Sequence, residues 1–227
     1  MTIAVLADFD RTVTEIDASF TVLEGFASGG WREIECDALG GKYTIKEALA
    51  LQAGMVRGTR SAVDRYVLEK VRPREGFKDF ALWCRQNGVH LEICSDGFGH
   101  TIPLLLGREG LEWIPWTSND TWFEHDRMRI EFNHTAPGCP VNANCKCAHH
   151  DRLMKGYGAV VYVGDGSTDA CVARRADILF ARDWLAGYCR DEGIPFYPWD
   201  SWSEIKAHIS GLLGPVGEER LPFPGIE

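Results

Sequence analysis

A five-residue apolar run, Ile3-Ala4-Val5-Leu6-Ala7, stops at two aspartates set two residues apart, Asp8-Phe9-Asp10-Arg11-Thr12. No other feature restricts the possible folds as much. The run is short, carries β-branched side chains and has no polar alternation, so it predicts a strand buried on both faces, as in a parallel sheet. Residues at i and i+2 of an extended chain point the same way. Asp8 and Asp10 are therefore crowded together at a strand's carboxyl end. Two such carboxylates repel unless a cation or a shared proton lies between them. The carboxyl edge of an open α/β sheet is also where ligands bind. The chain thus opens on a candidate metal-dependent acid/base or nucleophile site.

The rest of the chain continues the alternation. A helix-rich stretch spans about residues 18–87, with apolar residues at three-to-four spacing over 45–55, 61–71 and 76–86. Val89 to Cys94 predicts a strand ending at Ser95-Asp96-Gly97, and a helix follows over 101–106. Residues 113–134 have aromatic residues in a polar background and predict a β-hairpin. A helix near 148–156 leads to the strand 159–163, which ends at Gly164-Asp165-Gly166. A short helix at 168–175, a strand at 178–181, a helix at 183–192, a strand at 195–197 and a helix at 201–212 complete the series. The Pro/Gly-rich tail 214–227 is expected to pack loosely. Strands alternating with helices predict an α/β fold, a Rossmann-like doubly wound parallel sheet. A helical cap over residues 18–87 is inserted after the first strand, with a small β-hairpin insertion further on; the catalytic core is 1–17 and 88–227.

Composition narrows the partners. With 227 residues and 45% hydrophobic content the chain has enough apolar material for a sizeable core. A net charge of -9 without a Lys/Arg-rich run argues against nucleic acid and anionic membrane. No stretch is apolar for long enough to span a bilayer, and no signal peptide is evident, so a cytoplasmic protein is expected. A disulfide framework is not expected of its eight cysteines in that setting. The oligomeric state is left open, a homodimer being one option.

Asp8/Asp10/Thr12, Ser95/Asp96/Gly97, Asp165/Asp169 and a lysine before the third buried strand all fall where strand ends converge. A carboxylate nucleophile, a second carboxylate for acid/base work, a hydroxyl, an ammonium and further acids for a divalent cation are the parts of phosphoryl transfer. Oxygen-only ligands favour Mg²⁺. In order and spacing these motifs resemble the haloacid dehalogenase (HAD) superfamily: Asp8-Phe9-Asp10-Arg11-Thr12 as DxDxT, Ser95 closing a strand, and Gly164 to Asp169 as GDxxxD. Ser95 to Phe98, the hairpin 113–134, the Cys-rich turn and Ala176 to Asp183 are similar to its subfamily IB. That branch includes the phosphatases of 2-hydroxy-3-keto-5-methylthiopentenyl-1-phosphate and, as neighbours, phosphoserine and phosphocholine phosphatases.

The resemblance implies a phosphatase whose partner is a small phosphorylated metabolite, in which Asp8 attacks phosphorus and Asp10 protonates the leaving oxygen and then activates water. Thr12, Ser95, Asp96, Gly97 and a lysine would serve the phosphoryl group. Asp8, the Asp10 carbonyl and Asp165 would hold Mg²⁺, with Asp169 in support. The lysine is Lys146, at a helix start after a cysteine, or Lys155, nearer the strand; Lys146 is favoured, since helix starts are where phosphates bind. Asp17 either faces the substrate or caps the helix beginning near Ala18. Arg11 departs from the small residue many relatives carry, and either adds a cation beside the phosphate or points to solvent. Cys139, Cys145, Cys147 and His149 are zinc-ligand types, but their spacing is unfamiliar and reduced thiols packing a turn are favoured. Trp31, Trp113, Trp116 and Trp122 read as packing residues, with a pocket wall as the alternative. Dehalogenation on the same fold does not need Asp10; a phosphomutase, or a non-catalytic binding protein with this fold, remain the other readings.

Overall fold

The computed structural model describes residues 2–139 and 143–213; the tail 214–227 and positions 140–142 of the Cys-rich turn lie outside the described residues. Seven strands form one sheet in the order β4-β3-β2-β1-β5-β6-β7. They are β1 (Ile3–Ala7), β2 (His90–Phe98), β3 (Trp116–Glu124), β4 (Arg127–Glu131), β5 (Ala159–Gly164), β6 (Ile178–Ala181) and β7 (Tyr197–Pro198). All neighbours pair in parallel except β3 and β4, which form the hairpin. The hairpin is not detached from the sheet, because β3 also pairs with β2.

The buried strands show why they form a central sheet. In β1, Ile3, Val5 and Ala7 join one core while Ala4 and Leu6 join another. Val161 and Val163 of β5 go with the first set, and Val160 and Tyr162 with the second. Side chains alternate across a strand, so a continuous apolar run feeds two cores, one on each face. The first face is covered by α5 (Phe77–Gln86), α6 (Thr101–Glu109) and α10 (Trp202–Leu213), whose Phe80 and Trp202 rings meet at 4.8 Å. The second is covered by α7 (Lys146–Leu153), α8 (Ala170–Ala173) and α9 (Asp183–Asp191).

Between β1 and β2 lie α1 (Ala18–Phe26), α2 (Trp31–Leu39), α3 (Ile45–Met55), α4 (Arg60–Lys70) and α5. Their starts are written in the chain. Asp17 caps α1, accepting from the Phe20 N–H at 2.6 Å, and Thr44 with Glu47 forms a capping box on α3. α1 packs on α4, α2 on α3, and α5 against β2 and α10. Among the described residues no helix is long and apolar enough to cross a membrane.

One strand differs from expectation. β2 does not stop at Ser95 but runs on to Phe98, with a shift of register against β3 between Cys94 and Phe98. Inside that irregularity the sheet partners are replaced by side chains. Asn144 Nδ2 donates to the Ser95 carbonyl at 2.9 Å, and Asn119 Nδ2 to the Asp96 carbonyl at 2.5 Å. Buried carbonyls need donors, and here two asparagines supply them.

Candidate active site

The sheet order explains the site. β1 lies between β2 and β5, so the carboxyl ends of these three strands share one edge. There a cleft of about 330 Å³ is lined by Asp8, Asp10, Ser95, Asp96, Gly97 and Asp165.

Lys146 is the hub. Its side chain is 1% exposed, and Nζ lies 2.6 Å from Asp8 Oδ1, 3.1 Å from Thr168 Oγ1 and 3.4 Å from Asp96 Oδ2, with Asp169 Oδ1 as its remaining partner. Burial disfavours its ammonium form, but Asp169 and Asp8 outweigh burial and hold its pKa well above the ordinary lysine value. Lys155 is exposed beyond the end of α7. Lys146 is the first residue of α7, so the helix start sets its position.

The acids differ in what holds them. Asp8 is pushed well above the usual carboxylate range by burial, against the pull of Lys146 and with Asp169 and Asp165 adding to the rise. Asp10 accepts from the Ala18 N–H at 2.7 Å and the Ser19 hydroxyl at 3.2 Å. Burial raises its pKa, and those two donors oppose the rise. Asp165 is pushed up to about 6, by burial first and Asp169 second, with Arg11 pulling the other way. Asp169 is saturated with donors: Lys146, the Tyr162 hydroxyl at 2.6 Å, and the N–H groups of Asp165 and Gly166 at 3.0 Å each.

Carboxylate oxygens of Asp8, Asp165 and Asp169 all lie within 4.8 Å of one another, and all three residues are buried. Three anionic oxygens with no nitrogen or sulfur donor fit a hard divalent cation such as Mg²⁺. Mutual repulsion in a buried site supplies the drive, since a cation there lowers the pKa of every acid it touches.

Other expected site residues are placed as follows. Thr12 is fully buried and its hydroxyl donates to Asp165 Oδ1 at 2.9 Å. The Ser95 hydroxyl accepts from the Gly97 N–H at 3.0 Å, and Asp96 Oδ1 accepts from the Asn144 N–H at 2.8 Å. At Gly97 the backbone passes close to Asp10: a Cβ there would collide with the carboxylate of Asp10 and the hydroxyl of Ser19. Asp17 caps α1 and also lines the cleft, and burial together with the nearby Asp10 raises its pKa well above normal. Arg11 is 44% exposed and at the same time paired, with Asp165 at 3.0 Å and Asp183 at 3.2 Å. In the Cys-rich turn the thiols touch as Cys139 with Cys145 and Cys147 with Cys171, while His149 turns to Asn144 Oδ1 at 3.0 Å.

Several site residues are not evident from the sequence. Tyr162 reads as one more apolar strand position; burial hides that its hydroxyl reaches Asp169. Thr168 lies inside the GDxxxD stretch and is a visible candidate there. Phe20, Glu35, Ile45, Leu49 and Gln52 from the helices after β1, and Trp184 from α9, form the far wall of the cleft. Only the packing of those helices selects them, and none of the four tryptophans singled out earlier is among them.

Comparisons with known proteins bear on the family and the fold. A family model described as haloacid dehalogenase-like hydrolase matches residues 5–174. A 2-hydroxy-3-keto-5-methylthiopentenyl-1-phosphate phosphatase of Geobacillus thermodenitrificans is 28% identical over 214 residues, covering 92% of this chain and 96% of that one. Its Bacillus velezensis counterpart is 28% identical over 212 residues, covering 92% of this chain and 90% of its own. Among solved structures, a phosphoserine phosphatase with bound substrate superposes with a TM-score of 0.69 at 15% identity, covering 92% of this chain and 99% of that one. A phospho-aspartyl intermediate analogue of phosphoserine phosphatase gives 0.67 at 16% identity, with the same two coverages. At such identities these structures bear on the fold.

Proposed function

The chain belongs to the haloacid dehalogenase-like hydrolases, and from that premise we propose that this phosphatase is Mg²⁺-dependent and hydrolyses a small-metabolite phosphomonoester through an aspartyl-phosphate on Asp8. The observation that carries the reading is the meeting of Lys146 with Asp8 at 2.6 Å beside Asp165 and Asp169, from elements 138 to 161 residues downstream of Asp8.

Asp8 attacks phosphorus through the oxygen that Lys146 does not hold. The bond from phosphorus to the ester oxygen breaks as the bond to Asp8 forms. Asp10, whose pKa burial raises, acts in its protonated form and gives that proton to the departing oxygen. Deprotonated, Asp10 takes a proton from water, which attacks phosphorus and frees Asp8 and inorganic phosphate. Lys146 and the Ser95 hydroxyl face the phosphoryl oxygens. Mg²⁺, held by Asp8 and Asp165 with Asp169 in support, would supply charge neutralisation for the phosphoryl group and lower the pKa of Asp8. Thr12 and Asp169 act by orienting Asp165, through its Oδ1 and its N–H respectively.

The helical insertion 18–87 is the cap that selects the leaving group, and α1, α2 and α3 bring Phe20, Leu39, Ile45 and Leu49 to the cleft. Apart from Lys146 beneath Asp8, Arg11 is the one cation at the cleft among the described residues, and it is already paired. An apolar, uncharged leaving group, as in a methylthiopentenyl phosphate, suits that wall better than the carboxylate of phosphoserine. The test is phosphate release from p-nitrophenyl phosphate by wild type and Asp8→Asn, followed by a panel of metabolite phosphates. Loss of at least about 10³-fold in the variant is expected. Retained turnover would remove Asp8 as nucleophile, and a preference for phosphoserine would overturn the substrate class.

A further inference from the structure

Three non-glycine residues among those described have left-handed backbone: Arg11 at φ 62°, His125 at φ 58° and Asp183 at φ 46°. His125 sits in the β3–β4 hairpin turn, where that conformation is common. The other two are joined to each other. Arg11 Nη2 lies 3.2 Å from Asp183 Oδ2 and 3.0 Å from Asp165 Oδ2. Such conformations persist where the surroundings enforce them, and they gather at functional sites. Here Arg74 holds the Arg11 carbonyl at 2.6 Å, and Asp183 opens α9.

The arrangement leaves Asp165 with a partner on each oxygen: the Thr12 hydroxyl donates to Oδ1 at 2.9 Å, and Arg11 forms an ion pair with Oδ2 at 3.0 Å. A divalent cation at the acid cluster needs the same carboxylate. Arg11 is thus a tethered cation on a carboxylate that belongs to the acid cluster. Asp183 competes with Asp165 for Arg11, while Arg182 Nε, 3.3 Å away, competes with Arg11 for Asp183. We propose that Arg11 is a built-in competitor of Mg²⁺ for Asp165 and that Asp183 draws it off, so that the Arg11–Asp183 pair sets how tightly the metal is held. Arg11 is a positioning residue in this role, acting on the reaction through Asp165. The inference rests on the reading of Asp165 as a metal ligand.

The test is isothermal titration calorimetry of Mg²⁺ into the full, metal-stripped chain, as wild type, Arg11→Gly, Asp183→Asn and the double variant. Glycine suits the backbone at position 11, and asparagine tolerates that at 183, so both folds should be kept. Arg11→Gly should tighten Mg²⁺ binding by about tenfold, since one opposing unit charge leaves the ligand. Asp183→Asn should weaken it several-fold by handing Arg11 to Asp165, and should do far less when Arg11 is absent. Unchanged or weaker binding by Arg11→Gly, or an equal Asp183→Asn effect in both backgrounds, overturns the inference while leaving the metal reading intact. Absence of Mg²⁺ binding by wild type overturns both.

Discussion

At the scale of single residues the site works by close approach. Gly97 lets the β2 irregularity pass against Asp10 and Ser19, and its missing side chain is what leaves room for the Asp10 carboxylate. Gly97→Ala should displace that carboxylate and lower kcat on p-nitrophenyl phosphate by about 100-fold, the scale of a misplacement near 1 Å. A kcat within a few-fold of wild type would show that Asp10 has room to move. Asp8, Asp10, Ser95, Asp165 and Asp169 stood out as candidates in the sequence because their types and spacing are chemically unusual, whereas Lys146 shared its candidacy with Lys155. Tyr162 did not stand out, because a buried tyrosine in an apolar strand carries the same pattern as valine until the partner of its hydroxyl is known. The paired role of Arg11 was equally hidden, since Asp183 is 172 positions away.

At the scale of elements, polar anchors hold the site's scaffolding in place. Glu92 in β2 is buried at 4% exposure and receives Arg152 at 2.5 Å and His90 at 3.3 Å, with His149 at 3.6 Å, so it ties α7 to the sheet. Burial alone would raise its pKa, but the donors of His149, His90 and Arg152 overcome burial and hold it far below the usual glutamate range. A depressed folded-state pKa contributes stability above the unfolded value of about 4.3, and that stability is lost as pH falls below it. Glu92→Gln should therefore destabilise by about 2 kcal/mol near neutrality, a figure held down because Arg152 is half exposed. The difference should shrink as pH drops below about 4.3, read by urea unfolding at several pH values. A constant difference across pH would mean that shape, not charge, is what Glu92 supplies. Helices α3, α4 and α5 were legible because their apolar residues recur at three-to-four spacing, a local signal. The extent of β2 was not, because its last residues are held by Asn119 and Asn144 from other elements.

At the scale of the whole molecule, the order of strands turns separate motifs into one site. Neutralising the acid cluster should therefore stabilise the entire fold. Mg²⁺ at about 100 times its Kd should add about 2.7 kcal/mol, a rise in Tm of roughly 5–10 °C for a domain of this size. The rise should vanish in Asp165→Asn, measured by differential scanning calorimetry, and its survival there would move the metal elsewhere. The apolar run before Asp8, the helix caps and the spacing of the acid motifs were determined by the sequence alone, because each depends on residues within a few positions of one another. Which lysine meets Asp8, which helices wall the cleft, and which carboxylate Arg11 shares with Asp183 were decided only by the tertiary structure. Those contacts join positions far apart in the chain, and no local preference encodes the distance between them once the sheet has closed.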